Sequence, residues 1–145
     1  MSSLQAVLLP VGDDVYAVPV GWVREVAPAP RLSPLVTAAP VVLGLFNLRG
    51  EIVPLLDTAA LLGLGAVAAA SFVLVLESGA GLVGLAATGL PRRTLLDRPV
   101  GPSELPGTAG SYQIGDGVAV LLDPTVVLGS ERLRGADHAL SGGPV

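Results

Sequence analysis

What most constrains this chain is its punctuation. Nineteen glycines and 13 prolines are scattered through 145 residues, so a breaker falls every few positions almost throughout. Proline fixes φ and removes a backbone donor, and glycine weakens a helix interior. Helices of ordinary length therefore have little room. The apolar runs left between the breaks are short and rich in Val and Leu, the pattern of strands. Only five residues are aromatic, so any core must be assembled from small branched side chains.

Two stretches repeat at a fixed offset. Val53-Pro-Leu-Leu-Asp-Thr-Ala-Ala-Leu-Leu-Gly63 aligns with Ala119-Val-Leu-Leu-Asp-Pro-Thr-Val-Val-Leu-Gly129, with five of eleven positions identical, Asp57 with Asp123 and Gly63 with Gly129 among them. At the same offset Val7-Leu8-Leu9 falls on Val73-Leu74-Val75. The order strand, turn, strand, then Leu-Leu-Asp and a Leu-Gly ending occurs twice, which reads as two related lobes, each too small to hold a good core alone.

The strand map follows. Leu4–Val11 and Val15–Val20 flank the turn Gly12-Asp13-Asp14, and Trp22–Val26 is stopped by Pro28 and Pro30. Residues 31–42 form a proline-broken, ordered connection. Leu43–Leu48 and Glu51–Leu56 flank Arg49-Gly50. The second lobe is expected to hold Phe72–Leu76, Leu82–Ala87, Thr94–Leu96, Tyr112–Ile114 and Val118–Leu122. Helical turns are expected at Leu61–Leu64 and Thr125–Leu128, with Asp57 and Asp123 as their caps. One domain is expected over residues 1–135, with a disordered tail over 136–145. The fold class is all-β, with closed or nearly closed sheets, because closure is how short strands avoid open edges.

Composition removes several function classes. Eight basic residues, all Arg, against 12 acidic ones leave a net charge of −4, so a nucleic-acid groove is not expected. Without cysteine there is neither disulfide nor thiolate metal site. The start, Met-Ser-Ser-Leu-Gln-Ala, lacks the positive region of a secretory signal. From Thr58 to Leu76 no charge appears, about the length of a bilayer span. Its glycines, its acidic flanks Asp57 and Glu77, and the want of a nearby Arg argue against insertion. Asp13, Asp14 and Asp57 mimic a phospho-receiver site, but such a site needs a Lys and the chain has none. His138, the single histidine, sits in the expected tail, so neither a His-based triad nor a metal cluster is expected. No cofactor and no catalysis are expected.

The segment Val42-Leu-Gly-Leu-Phe-Asn-Leu-Arg-Gly-Glu-Ile-Val-Pro-Leu-Leu-Asp57 resembles the signature of the CheW family, in which a glycine, then Asn-Leu-Arg-Gly, then an apolar strand with Pro, then Asp, recur in this order. Val15-Tyr-Ala-Val-Pro-Val20 and Val23-Arg-Glu-Val26 fit the family's first strands, and Asp116-Gly-Val-Ala-Val-Leu-Leu-Asp123 its closing one. The likeness covers roughly residues 4–130. It departs at Gly84-Leu-Ala-Ala-Thr-Gly-Leu-Pro91, where the family leads into an Asp-Val element, and in the absence of Lys.

The resemblance implies two small five-stranded β-barrel lobes with a groove between them. It implies a cytoplasmic, non-catalytic adaptor that couples the cytoplasmic tip of a methyl-accepting chemoreceptor to the regulatory domain of a CheA-type histidine kinase, or a scaffold of the same fold in a twitching or other kinase circuit. By position in the motif, Arg49, Asn47 and Glu25 would be polar receptor contacts, with Val23 and Leu45 as apolar neighbours. The kinase contacts carry no residue assignment. A third reading is a small-molecule-binding β-barrel. Each residue also has a structural role open to it. Arg49 could pair with Glu51 or Asp57 to lock its turn, Glu25 could be a solvated strand residue, and Asn47 a turn former.

Overall fold

The computed structural model describes residues 3–35, 40–67 and 69–129. Eleven strands run in the order β1 (Leu4–Val11), β2 (Asp14–Pro19), β3 (Val23–Pro28), β4 (Val42–Leu48), β5 (Glu51–Leu56), β6 (Phe72–Ser78), β7 (Gly81–Ala87), β8 (Arg92–Leu96), β9 (Pro99–Gly101), β10 (Thr108–Ile114) and β11 (Gly117–Leu122). Single helical turns, α1 (Thr58–Leu61) and α2 (Pro124–Val127), follow β5 and β11. The bounds of β1 and β5 are those expected. The helical turns begin three residues and one residue earlier than expected, directly after Asp57 and Asp123, because a cap sets the first helical position beside itself. Trp22 belongs to a 3-10 turn, Val20–Trp22, and not to β3.

The strands form two sheets, in the orders β8-β1-β2-β11-β10-β9 and β3-β6-β7-β5-β4. The repeat is real, but it does not divide the lobes as expected. Strands β6 and β7, assigned from sequence to the second lobe, lie in one sheet with β3, β4 and β5. One lobe is thus the continuous segment 23–87, and the other is built from 4–19 and 92–122 around it. Under the correspondence of β1, β2, β3, β4 and β5 with β6, β7, β8, β10 and β11, the two sheet orders are the same order. The hairpin of each half is inserted between strands of the other. Ala6 pairs with Thr94 and Pro28 with Phe72. The offset is 94 − 28 = 72 − 6 = 66, which also relates Thr58–Leu61 to Pro124–Val127. The outer lobe gains β9 as a sixth strand, a three-residue edge bounded by Pro99 and Pro102 that the sequence did not reveal.

Exchange explains why some strands read as unbroken apolar runs. A strand covered on both faces has no solvent side to alternate with. On β1, Ala6 and Leu8 face the outer-lobe interior with Ala17, Leu96 and Leu121, while Val7 and Leu9 face a shared core with Leu56, Leu74, Leu76, Leu85 and Leu122. On β6, Val73 and Val75 face the inner-lobe interior with Phe46, Val53 and Leu55. Three apolar layers result, and the middle one draws on both lobes. Close approach replaces aromatic bulk: a Cβ on Gly84 would lie 2.6 Å from Val73 Cγ2. Each fully buried Leu here is worth about 2–3 kcal/mol of transfer free energy, which is why neither lobe is expected to stand without the other. Among the described residues no helix is long and apolar enough to cross a membrane. The charge-free stretch 58–76 is spent on α1, a connection and β6.

Candidate functional site

The two aspartates of the repeat are structural. Asp57, 3% exposed, caps α1 by accepting from Ala60 N at 3.0 Å. Its carboxylate also accepts from Val67 N, 3.1 Å to each oxygen, so one side chain fastens both ends of the connection into β6. Thr58 beside it donates its hydroxyl to Ala86 O at 2.7 Å, tying α1 to β7. Asp123 makes the simpler cap, accepting from Thr125 N at 3.1 Å. With its oxygens given to backbone N–H groups, Asp57 has the surroundings of a structural carboxylate and not of a phosphoryl acceptor. Among the described residues no cluster of acids and histidines could hold a metal. A concavity of about 440 Å³ beside β9 is lined by residues such as Pro99, Ser103, Ser111 and Tyr112, with no carboxylate or cation in its lining. His138 and the expected tail lie outside the described residues.

The β4–β5 hairpin is different in kind. Leu48 pairs with Glu51, which leaves a two-residue loop of Arg49 and Gly50. Both have positive φ, +50° and +92°, the sign pattern of a type I′ turn. Among the described residues Arg49 is the one non-glycine residue with positive φ. That backbone costs an L-residue about 1–2 kcal/mol. Asn47 holds the turn, its Oδ1 accepting from Gly50 N at 2.9 Å. The turn-forming role open to Asn47 is therefore the one it fills.

The Arg49 guanidinium donates to Glu25 on β3. It does so in place of either partner weighed from sequence, Glu51 or Asp57. Because β3 and β4 are the two edges of the inner sheet, this ion pair clasps a seam that no ladder closes. An ion pair with one side chain 68% exposed is worth at most about 1 kcal/mol, so it does not repay the backbone strain in full. Ser33 covers part of the same seam through two backbone bonds to Leu45, of 2.7 and 2.8 Å. Gly44 permits that approach, since a Cβ there would sit 2.9 Å from Ser33 O.

The five residues singled out from sequence are thus distributed as follows. Arg49 and Glu25 touch. Asn47 and Leu45 stand on the outward side of β4, alternating with buried Phe46. Val23 starts β3, half-buried against the shared core and paired with Leu76. Sequence reasoning missed Ile52, which lies opposite Asn47 in the ladder and is 61% exposed. The signal was available: a two-residue Arg-Gly loop fixes the register and puts Ile52 on the outward side with Asn47. Leu43, the extra residue of a bulge in β4, is also exposed.

A model of the CheW-like domain matches residues 5–132. Among solved structures the chain is similar to the scaffolding protein TtCheW from Thermoanaerobacter tengcongensis, with a TM-score of 0.74 and 16% identity over 90% of this chain and 96% of that one. Among curated proteins none matches.

Proposed function

Because this chain belongs to the CheW-like domain family, we propose that it is a cytoplasmic coupling adaptor, joining chemoreceptor cytoplasmic tips to the regulatory domain of a CheA-type histidine kinase. The family is one of non-catalytic scaffolds, and what such a protein contributes is geometry: several moderate interfaces, each with an apolar centre and a polar rim. The observation that carries the reading is Arg49, held at a strained hairpin tip braced by Asn47, with most of its side chain in solvent and exposed Ile52 on the same hairpin. A guanidinium so placed presents a fork to a helix-borne carboxylate at little further entropic cost. In this reading Arg49, Asn47, Glu25, Val23 and Leu45 face the receptor.

The test is titration of the purified chain with a receptor-tip fragment and, separately, with the kinase regulatory domain. Arg49→Ala should weaken tip binding about tenfold, leave kinase binding in place and keep cooperative unfolding. Arg49→Lys, which keeps the charge and loses the fork, should recover only part of the loss. Undiminished tip binding by Arg49→Ala would remove this face from the receptor contact.

A further inference from the structure

The seams of the two lobes are finished differently. In the inner lobe Glu25 and Arg49 meet across the seam. Their equivalents 66 positions on are Pro91 and Gly115, so the outer lobe has neither half of that clasp. Between its edge strand β8 and the β10–β11 tip it carries two arginines instead. Leu8, Arg92, Arg93, Thr94, Ile114 and Gly115 line a concavity of about 310 Å³ there, with no carboxylate in the lining. Arg92 is exposed, and among the described residues its guanidinium has no ion-pair partner. Arg93 donates from Nη2 to the neutral Gln5 Oε1 at 3.2 Å, which orients the guanidinium without neutralising it. Asp116, the acid of the tip, pairs with neither arginine among the described residues. Leu8, opposite Arg92 in the ladder, and half-buried Ile114 supply apolar surface.

We infer that this mouth of the outer lobe is a binding site for a small organic phosphate, a monoester whose head is held by Arg92 and Arg93 and whose carbon part rests on Leu8 and Ile114. Two cations without an acid call for two negative charges. A phosphate monoester carries nearly that many at neutral pH, since its second pKa is about 6. The guanidinium fork also matches the spacing of phosphate oxygens. Half-buried Thr94 adds a hydroxyl to the lining. The concavity is at the small end of ligand sites, which suits a compact monoester better than a dinucleotide. In a chain of net charge −4 the anion is held by local charge and not by the field of the whole protein. The site is built on β8 and the β10–β11 tip, so the inference does not depend on the receptor-facing reading of the β3–β4 edge.

The experiment titrates the full chain, in phosphate-free buffer of low ionic strength, with phenyl phosphate, inorganic phosphate and phenol, following backbone amide shifts by NMR. Phenyl phosphate should saturate, moving the amides of Thr94 and Gly115 and leaving that of Gly50 in place. Inorganic phosphate should bind about threefold to tenfold more weakly, and phenol should not saturate. Arg92→Gln should weaken phenyl phosphate binding about tenfold and Arg93→Gln about threefold to fivefold, with cooperative unfolding kept. Arg31→Gln makes the same change of net charge outside this lining and should bind as the parent does. Shifts of the parent that rise without saturating would overturn the inference, and so would equal losses in Arg31→Gln and Arg92→Gln. Equal affinity for inorganic and phenyl phosphate would overturn the organic class of the ligand.

Discussion

Two hairpins of this molecule occupy equivalent places in the repeat and are built to different ends. In the inner lobe the β4–β5 tip is Arg49-Gly50, and in the outer lobe the β10–β11 tip is Gly115-Asp116, 66 positions on. Each is braced by an amide side chain at the equivalent position. Asn47 accepts from Gly50 N, while Gln113 donates to Gly115 O at 2.8 Å. The outer tip places glycine at the position of positive φ, +55°, and so avoids strain. The inner tip keeps Arg at that position, at +50°, with a clasp that returns only part of the cost. Features that both halves share, the cap aspartates and the exposed Ile52 and Val118, follow from the common architecture. A feature that one half keeps against its own stability supports the proposal that Arg49 serves a partner.

The largest expected difference between equivalent positions concerns the caps. Asp57→Ala strips a buried site of bonds to two N–H groups and should lower unfolding free energy by about 3 kcal/mol in denaturant titration. Asp123→Ala removes one half-exposed cap and should cost about 1 kcal/mol. Equal losses would mean that the contacts of Asp57 to Val67 contribute nothing. Next come the tips. Gly115→Ala should cost about 1 kcal/mol, because it gives the outer tip the strain that the inner one already bears. Arg49→Gly relieves that strain and loses the clasp, for a net change between zero and a gain of about 1 kcal/mol. A clear destabilisation by Arg49→Gly would show the clasp to be the main function of the arginine.

The smallest effect is on pH dependence. Tyr16 lies in the shared core with its pKa raised, by burial first and by the charge of Asp14 second. A phenol whose folded pKa exceeds its unfolded one gives stability that is complete below the unfolded value, about 10, and is lost as pH rises through the folded value. Thermal melts should therefore fall in the strongly alkaline range, and Tyr16→Phe should flatten that fall. A steeper fall in the variant would contradict the assigned environment.

Much of this was legible in the sequence. The offset between the two Leu-Leu-Asp segments located the repeat, and the tight-turn residues bounded β1 and β5 without error. The Asp57 and Asp123 caps follow from their place before a helical turn. What the sequence concealed was connectivity. A repeat announces two similar halves, but it carries no sign that β3 pairs with β6 and β8 with β1, because pairing partners are chosen by burial on both faces of β1 and β6. Strand β9 was hidden for another reason: three residues that begin on Pro99 and stop before Pro102 carry no periodicity. At the candidate site the motif pointed to Arg49 and Glu25, while their mutual contact depends on two sheet edges meeting across a seam that no local pattern encodes.

The central claim is that Arg49 is kept for a partner and not for the fold. The direct measurement is receptor-tip affinity and unfolding free energy on the same preparation of Arg49→Gly. The account predicts stability equal to or above that of the parent together with tip binding weakened about tenfold. Parent-like affinity, or a loss of binding that merely tracks a loss of stability, would contradict it.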